Sequence, residues 1–83
     1  MGSYARLVTP ASSQVAVTPS DSADLPDGVC KSLEVTATGD VVCIAENDTV
    51  PVTRTAVAAG TVILVRVKRV KATGTTAAVV ALY

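Results

Sequence analysis

The chain has no histidine, phenylalanine or tryptophan, and only two cysteines, two tyrosines and one methionine among its 83 residues. Each absence removes a class of function. Without histidine, a serine or cysteine nucleophile lacks the base that usually activates it, and the commonest zinc ligand is missing too. Cys30 and Cys43 stand alone rather than in a paired C-x-x-C arrangement, so the sequence offers no metal ligand set. With Tyr4 and Tyr83 as the only aromatic residues, the interior falls to Val, Leu, Ile and Ala. An aromatic side chain buries roughly 150–250 Å² and usually dominates a small core, so this core starts poor. No uninterrupted apolar stretch approaches the roughly 20 residues of a bilayer-spanning helix. Gly2, Ser3 and Tyr4 lead into no apolar run of secretory-signal length, so synthesis in the cytoplasm is expected.

Seven basic and seven acidic residues cancel, which leaves no global field to hold nucleic acid or an anionic membrane. The charges are unevenly placed. All the acids lie between Asp21 and Asp48, whereas Arg66, Lys68, Arg69 and Lys71 crowd one short segment. Two readings of that cluster stand side by side: complementary contacts with other copies or a partner, or long cations that blunt a sheet edge.

A chain this short buries only about two thirds of its unfolded surface, and small domains commonly gain stability from disulfides, metal or oligomerisation. Cys30 and Cys43 read as lying on two arms of a hairpin turning at Gly39. That register sets Cys43 opposite Glu34 and Val35, and carries Cys30 beyond the about 7 Å Cα limit for a disulfide. Two free thiols are expected, and oligomerisation remains.

What is present is punctuation. Residues 1–28 contain Pro10, Pro19 and Pro26 among Ser, Thr, Ala and Asp, and proline fixes φ and removes a backbone donor. The segment reads as an extended arm with one short strand at Ser13 to Thr18. It is either a free tail or an arm that orders on a neighbouring subunit, in which case Val15, Val17 and Leu25 supply apolar surface for strand addition. Residues 29–83 read as a small β domain. Val29 to Ala37 alternates apolar and polar positions, as a half-buried strand does. Thr38-Gly-Asp40 turns, with Gly39 free to take φ > 0. Val41 to Glu46 and Thr49 to Val57 follow as strands, and Pro51 confines the latter to an edge or a strand start.

Thr61 to Lys71 reads as one strand with a parity fault. Val65 and Val67 share a face, while Val70 has the wrong parity to join them. A β-bulge near Lys68 and Arg69 restores the alternation. Thr73-Gly-Thr75 turns, and Ala78 to Tyr83 is the final strand. The fold class is all-β, a small sandwich or barrel of five to six short strands with an extended N-terminal arm.

No residue is assigned to catalysis, cofactor binding or metal. Asp21, Asp24, Asp40 and Asp48 sit where Asp closes turns, and Glu34 and Glu46 alternate outward on strands. Thr73-Gly-Thr-Thr76 lacks the length and the terminal Lys of a phosphate loop. Arg66-Val-Lys-Arg-Val-Lys71 lacks the aromatic platforms that single-strand binders add to their basic grooves, so no nucleic-acid partner is expected. A sugar-binding module would want exposed aromatics, and only the two Tyr residues qualify. The candidate assembly residues are therefore Val15, Val17 and Leu25 in the arm, Arg66, Lys68, Arg69 and Lys71 in the basic segment, and Tyr83.

Val17-Thr-Pro-Ser-Asp21 with Asp24-Leu-Pro26, Thr38-Gly-Asp-Val41, Ala59-Gly-Thr61, Val67-Lys-Arg-Val70 and Ala72-Thr-Gly-Thr-Thr-Ala77 occur in this order along the chain. In that order and spacing the chain resembles the small spike base protein encoded among the virion genes of tailed phages and gene transfer agents. The resemblance implies a non-enzymatic virion protein on the capsid surface, made in the host bacterial cytoplasm, which seats a spike or fibre at a capsid vertex. The implied partners are further copies in a fivefold ring, the major capsid protein beneath and the spike or fibre protein above. A small tail-tube or connector protein, equally β-rich and oligomeric, is the alternative.

Overall fold

The computed structural model describes residues 11–83, so the first ten residues of the expected arm lie outside the description. Seven strands follow: β1 (Gln14–Ala16), β2 (Ser32–Ala37), β3 (Gly39–Ala45), β4 (Val52–Val57), β5 (Val62–Ile63), β6 (Val67–Val70) and β7 (Ala78–Leu82). They form two antiparallel sheets, ordered β1-β7-β2-β5 and β4-β3-β6. The expected all-β sandwich is what the chain forms, with more strands than the five or six read from sequence.

Alternation decides what is buried. Leu33 and Val35 of β2, Ile63 of β5, and Val79 and Ala81 of β7 turn inward from the first sheet. Val41 and Cys43 of β3 and Val67 and Val70 of β6 meet them from the second. Full burial of a Val or Leu side chain contributes about 1.5–3 kcal/mol, and Leu33, Val35, Val41, Val67 and Val70 are all essentially inaccessible. The central strand β3 is also buried on its outer face, through Val42 and Ile44. A segment of the chain covers part of that face: the Val42 N–H donates to Thr75 Oγ1 (3.0 Å), and a Cβ on Gly74 would stand 3.0 Å from Val42 Cγ2.

The bulge expected near Lys68 is present. Val67 lies opposite Ala45 and Arg69 opposite Ile44, so Lys68 is the extra residue and both Val67 and Val70 turn inward. The single strand from Thr61 to Lys71 is a correction, however. It divides into β5 and β6, which belong to different sheets, because Leu64 to Arg66 carries the chain across the end of the sandwich.

The hairpin at Gly39 is a second correction. β2 and β3 are consecutive but sit in opposite sheets, and Gly39 is not among the glycines with positive φ. Glycine is needed there for proximity, since a Cβ would meet the Ala77 amide nitrogen at 2.6 Å. The cysteines are both free and buried, as expected, but for a different reason. Cys30 bridges to Val67 on one side of β6, and Cys43 pairs with Val70 from β3 on the other. Two strand spacings, about 10 Å, separate them, beyond disulfide reach. Burial pushes both thiols up from their ordinary pKa.

Candidate functional site

Residues 11–28 do not wait for a neighbouring chain, which corrects the expectation of an arm ordered only on other subunits. They lie along their own domain. Ser12 N–H donates to the Tyr83 carbonyl (2.8 Å) and Tyr83 N–H to that of Ser13 (2.8 Å). β1 then pairs with β7 through Gln14 and Leu82, Val15 and Ala81, and Ala16 and Val80. Past Pro19 the chain changes sheets. Ser20 N–H donates to Val70 O (2.8 Å), Leu25 N–H to Lys68 O (2.8 Å) and Cys30 N–H to Val67 O (3.1 Å). The outer edge of β6 is thereby covered, and Leu25 joins the core. Ordering costs about 1–2 kcal/mol per residue, and the backbone bonds to β6 and β7 act against it together with apolar burial by Leu25 and Val17.

Polar contacts fasten this strap to the basic strand. The Asp21 carboxylate accepts from Thr73 N–H (2.9 Å) and Thr73 Oγ1 (2.6 Å), with Lys71 Nζ 3.9 Å away. Arg69 Nη1 (3.4 Å) and Lys71 Nζ (3.3 Å) donate to the Asp21 carbonyl, and Arg69 Nε donates to Asp24 Oδ1 (2.8 Å). These groups are partly solvated, so the Arg69–Asp24 pair contributes at most about 1 kcal/mol. Its value lies in register. The segment 72–77 is a crosspiece: Thr73 holds the strap, Thr75 holds Val42, and the N–H groups of Thr76 (2.9 Å) and Ala77 (3.1 Å) donate to Asp40 O.

The hydrogen bonds from Thr73, side chain first and backbone second, hold the Asp21 carboxyl below the usual carboxylate range. A carboxyl whose pKa falls on folding stabilises while ionised. Its contribution is present above the unfolded value of about 4 and lost as pH falls through the lower folded value. Asp21→Asn is therefore expected to melt below wild type at pH 7, with a gap that narrows as pH approaches 3. Thermal melts at the two pH values check this; a gap independent of pH refutes it.

The candidate assembly residues thus separate into two groups. Leu25 is buried, Val15, Val17 and Tyr83 are half-buried against this chain's own sheets, and Arg69 and Lys71 are engaged by the strap. Tyr83 Oη donates to Gly28 O (3.1 Å), and burial pushes its phenol up. Arg66 and Lys68 make no ion pair among the described residues.

Sequence reasoning missed the opposite side of the sandwich. There β4 is the edge of one sheet and β5 of the other, joined by the turn at 58–61, and nearly all of β4 is exposed. Val50, Val52, Val62 and Leu64 are exposed along or beside these strands, at 70%, 56%, 44% and 78%. The available signal was Pro51 heading a strand whose Thr53, Arg54 and Thr55 offer no apolar face. Ala56 interrupts β4 with φ of 51°, at a bulge held by its N–H to Asp40 Oδ1 (2.9 Å). Among the described residues no group of acids and cysteines is arranged to hold a metal, and no helix is long and apolar enough to cross a membrane.

No protein-family model and no curated protein matches the chain. Among solved structures, it is similar to a chain of the capsid of a native gene transfer agent particle, computed with C5 symmetry. The two share 37% sequence identity and superpose with a TM-score of 0.79, over 100% of both chains.

Proposed function

The chain belongs to the family of this gene transfer agent capsid component, and from that premise we propose that it is a structural virion protein, the base of a capsid spike. In this reading it sits on the major capsid protein at a vertex and carries a spike or fibre protein above, with copies arranged as a fivefold ring. The observation that carries the proposal is the similarity to the capsid chain over the full length of both proteins. That capsid was computed with C5 symmetry, with which a fivefold ring is compatible.

The chemistry of the chain agrees with such a role. Its polar side chains are spent on crosspieces and turns: Asp21 on Thr73, Asp40 on Ala56, Thr75 on Val42. In this reading the protein is a spacer that carries out no reaction. Its core of Val, Leu and Ile is small, and repeated contacts around a ring add burial that one copy cannot supply.

A density map of intact particles tests this directly. The expected result is this chain at the capsid vertices between shell and spike, and particles without it should lack the spike. Density for the chain only in the tail would overturn the reading.

A further inference from the structure

The two sides of the sandwich are built differently. One is lined by the strap, whose backbone groups bond to β6 and β7 and two of whose acids are paired, with β1 as the edge of its sheet. On the other, β4 pairs only with β3, and its outer backbone groups have no backbone partner among the described residues. Val52 sits opposite Cys43, on the inward face, yet is 56% exposed. An inward-facing valine left in water at an edge is a gap in the sandwich. Leu64, 78% exposed, leads into Arg66, whose carbonyl accepts from Glu46 N–H (2.8 Å). That bond ties the 64–66 crossing to the end of β3 beside which β4 begins. Among the described residues, four of the five large exposed apolar side chains belong to this side.

We propose that the β4–β5 side is the surface on which a neighbouring copy of this chain seats its strap side, so that each copy covers the next around the ring. The proposal rests on the ring reading above and names its contact. A ring of three or more copies needs two different, complementary surfaces on each copy, and the open edge and the strap lie on opposite sides of the sandwich. Charges of both signs that are unpaired among the described residues stand on each side, Arg54 and Asp48 by the open edge and Asp27 and Lys31 by the strap, and the proposed contact sets Arg54 of one copy against Asp27 of the next. Addition of the neighbour's edge strand β1 to β4 satisfies free backbone groups on both copies, while the apolar residues beside β4 supply burial. Interface cores are depleted in charged residues, so acids placed there oppose assembly.

The test is native mass spectrometry of wild type beside a Val52→Asp/Leu64→Asp variant, with circular dichroism as the folding control. Both positions are exposed in the single chain, and the milder Leu64→Ser variant replaces the pair if folding is lost. A wild-type ring and a folded variant whose dissociation concentration rises at least tenfold are expected. If both form the same ring, this surface is wrong while the ring reading survives. If wild type is monomeric at micromolar concentration, the ring reading fails and the contact with it. A variant that keeps its ring but no longer attaches to capsids would assign the patch to the shell, and would also overturn the proposal.

Discussion

Deleting residues 2–26 is expected to leave a chain that does not fold cooperatively at 25 °C. The truncation removes β1 from the edge of β7 and strips the strap from β6, exposing the backbone groups that bonded to Ser20 and Leu25. It also removes Leu25 from the core. Loss of one buried leucine side chain typically costs 2–5 kcal/mol, and the strand and strap contacts add to that. Domains of this size have only about 5–15 kcal/mol in total, and a core without aromatics belongs at the low end. Circular dichroism melts of full-length and truncated protein are the measurement. A cooperative melt within about 5 °C of full length would show that residues 29–83 fold alone and that the strap is an accessory.

Gly39→Ala is expected to be the most damaging Gly→Ala change among the described residues. Its Cβ would stand 2.6 Å from the Ala77 nitrogen, 2.7 Å from Thr76 Oγ1 and 2.8 Å from the Thr76 carbonyl carbon. Two of those atoms are backbone and cannot swing aside. The same contact carries the bonds from Asp40 N–H to Thr76 Oγ1 (2.8 Å) and from Thr76 and Ala77 to Asp40 O, so displacement loosens the crosspiece as well. Overpacking of this kind costs about 1–3 kcal/mol, and the lost hydrogen bonds place the variant near the top of that range. A loss of about 3 kcal/mol lowers Tm by roughly 12–24 °C in a domain of this size. Gly60→Ala is the control. It has open space around the added Cβ but a φ of +92°, so only the left-handed penalty of about 1–2 kcal/mol applies. Equal Tm losses in the two variants would mean that close approach at Gly39 is not what requires glycine.

These results bear on assembly because the crosspiece and the strap set the outer shape of one side of the molecule. A strap fastened by Asp21 and Asp24 to Arg69 and Lys71 presents a fixed surface to whatever lies beside it. The cations that looked available for partners are half consumed in forming it. What remains open is Arg66, Lys68 and the β4–β5 edge.

The amino-acid sequence by itself determined the class of the fold, most strand positions and one register detail. Period-two alternation marks the buried face of a strand directly, so β2, β4 and β7 lie within the segments read from it, while β3 begins two residues earlier, inside the expected turn. The parity fault between Val67 and Val70 required an inserted residue, and Lys68 is that residue. Pro51 marked the start of an edge strand because proline cannot donate to a ladder. Tertiary structure alone decided which strands pair. Alternation says that Leu33 and Val41 both face a core, but not that they face it from opposite sheets. A turn at Thr38-Gly-Asp40 is compatible with a hairpin or with a crossing. The crossing is chosen by contacts distant in sequence, where Ala77 and Thr76 press on Gly39 and β7 takes the place beside β2 that a hairpin would have given to β3. The fate of the arm was hidden for the same reason. Val17 and Leu25 are apolar whether they cover a neighbour or their own domain, and only the position of β6 and β7 beside them decides which surface they cover.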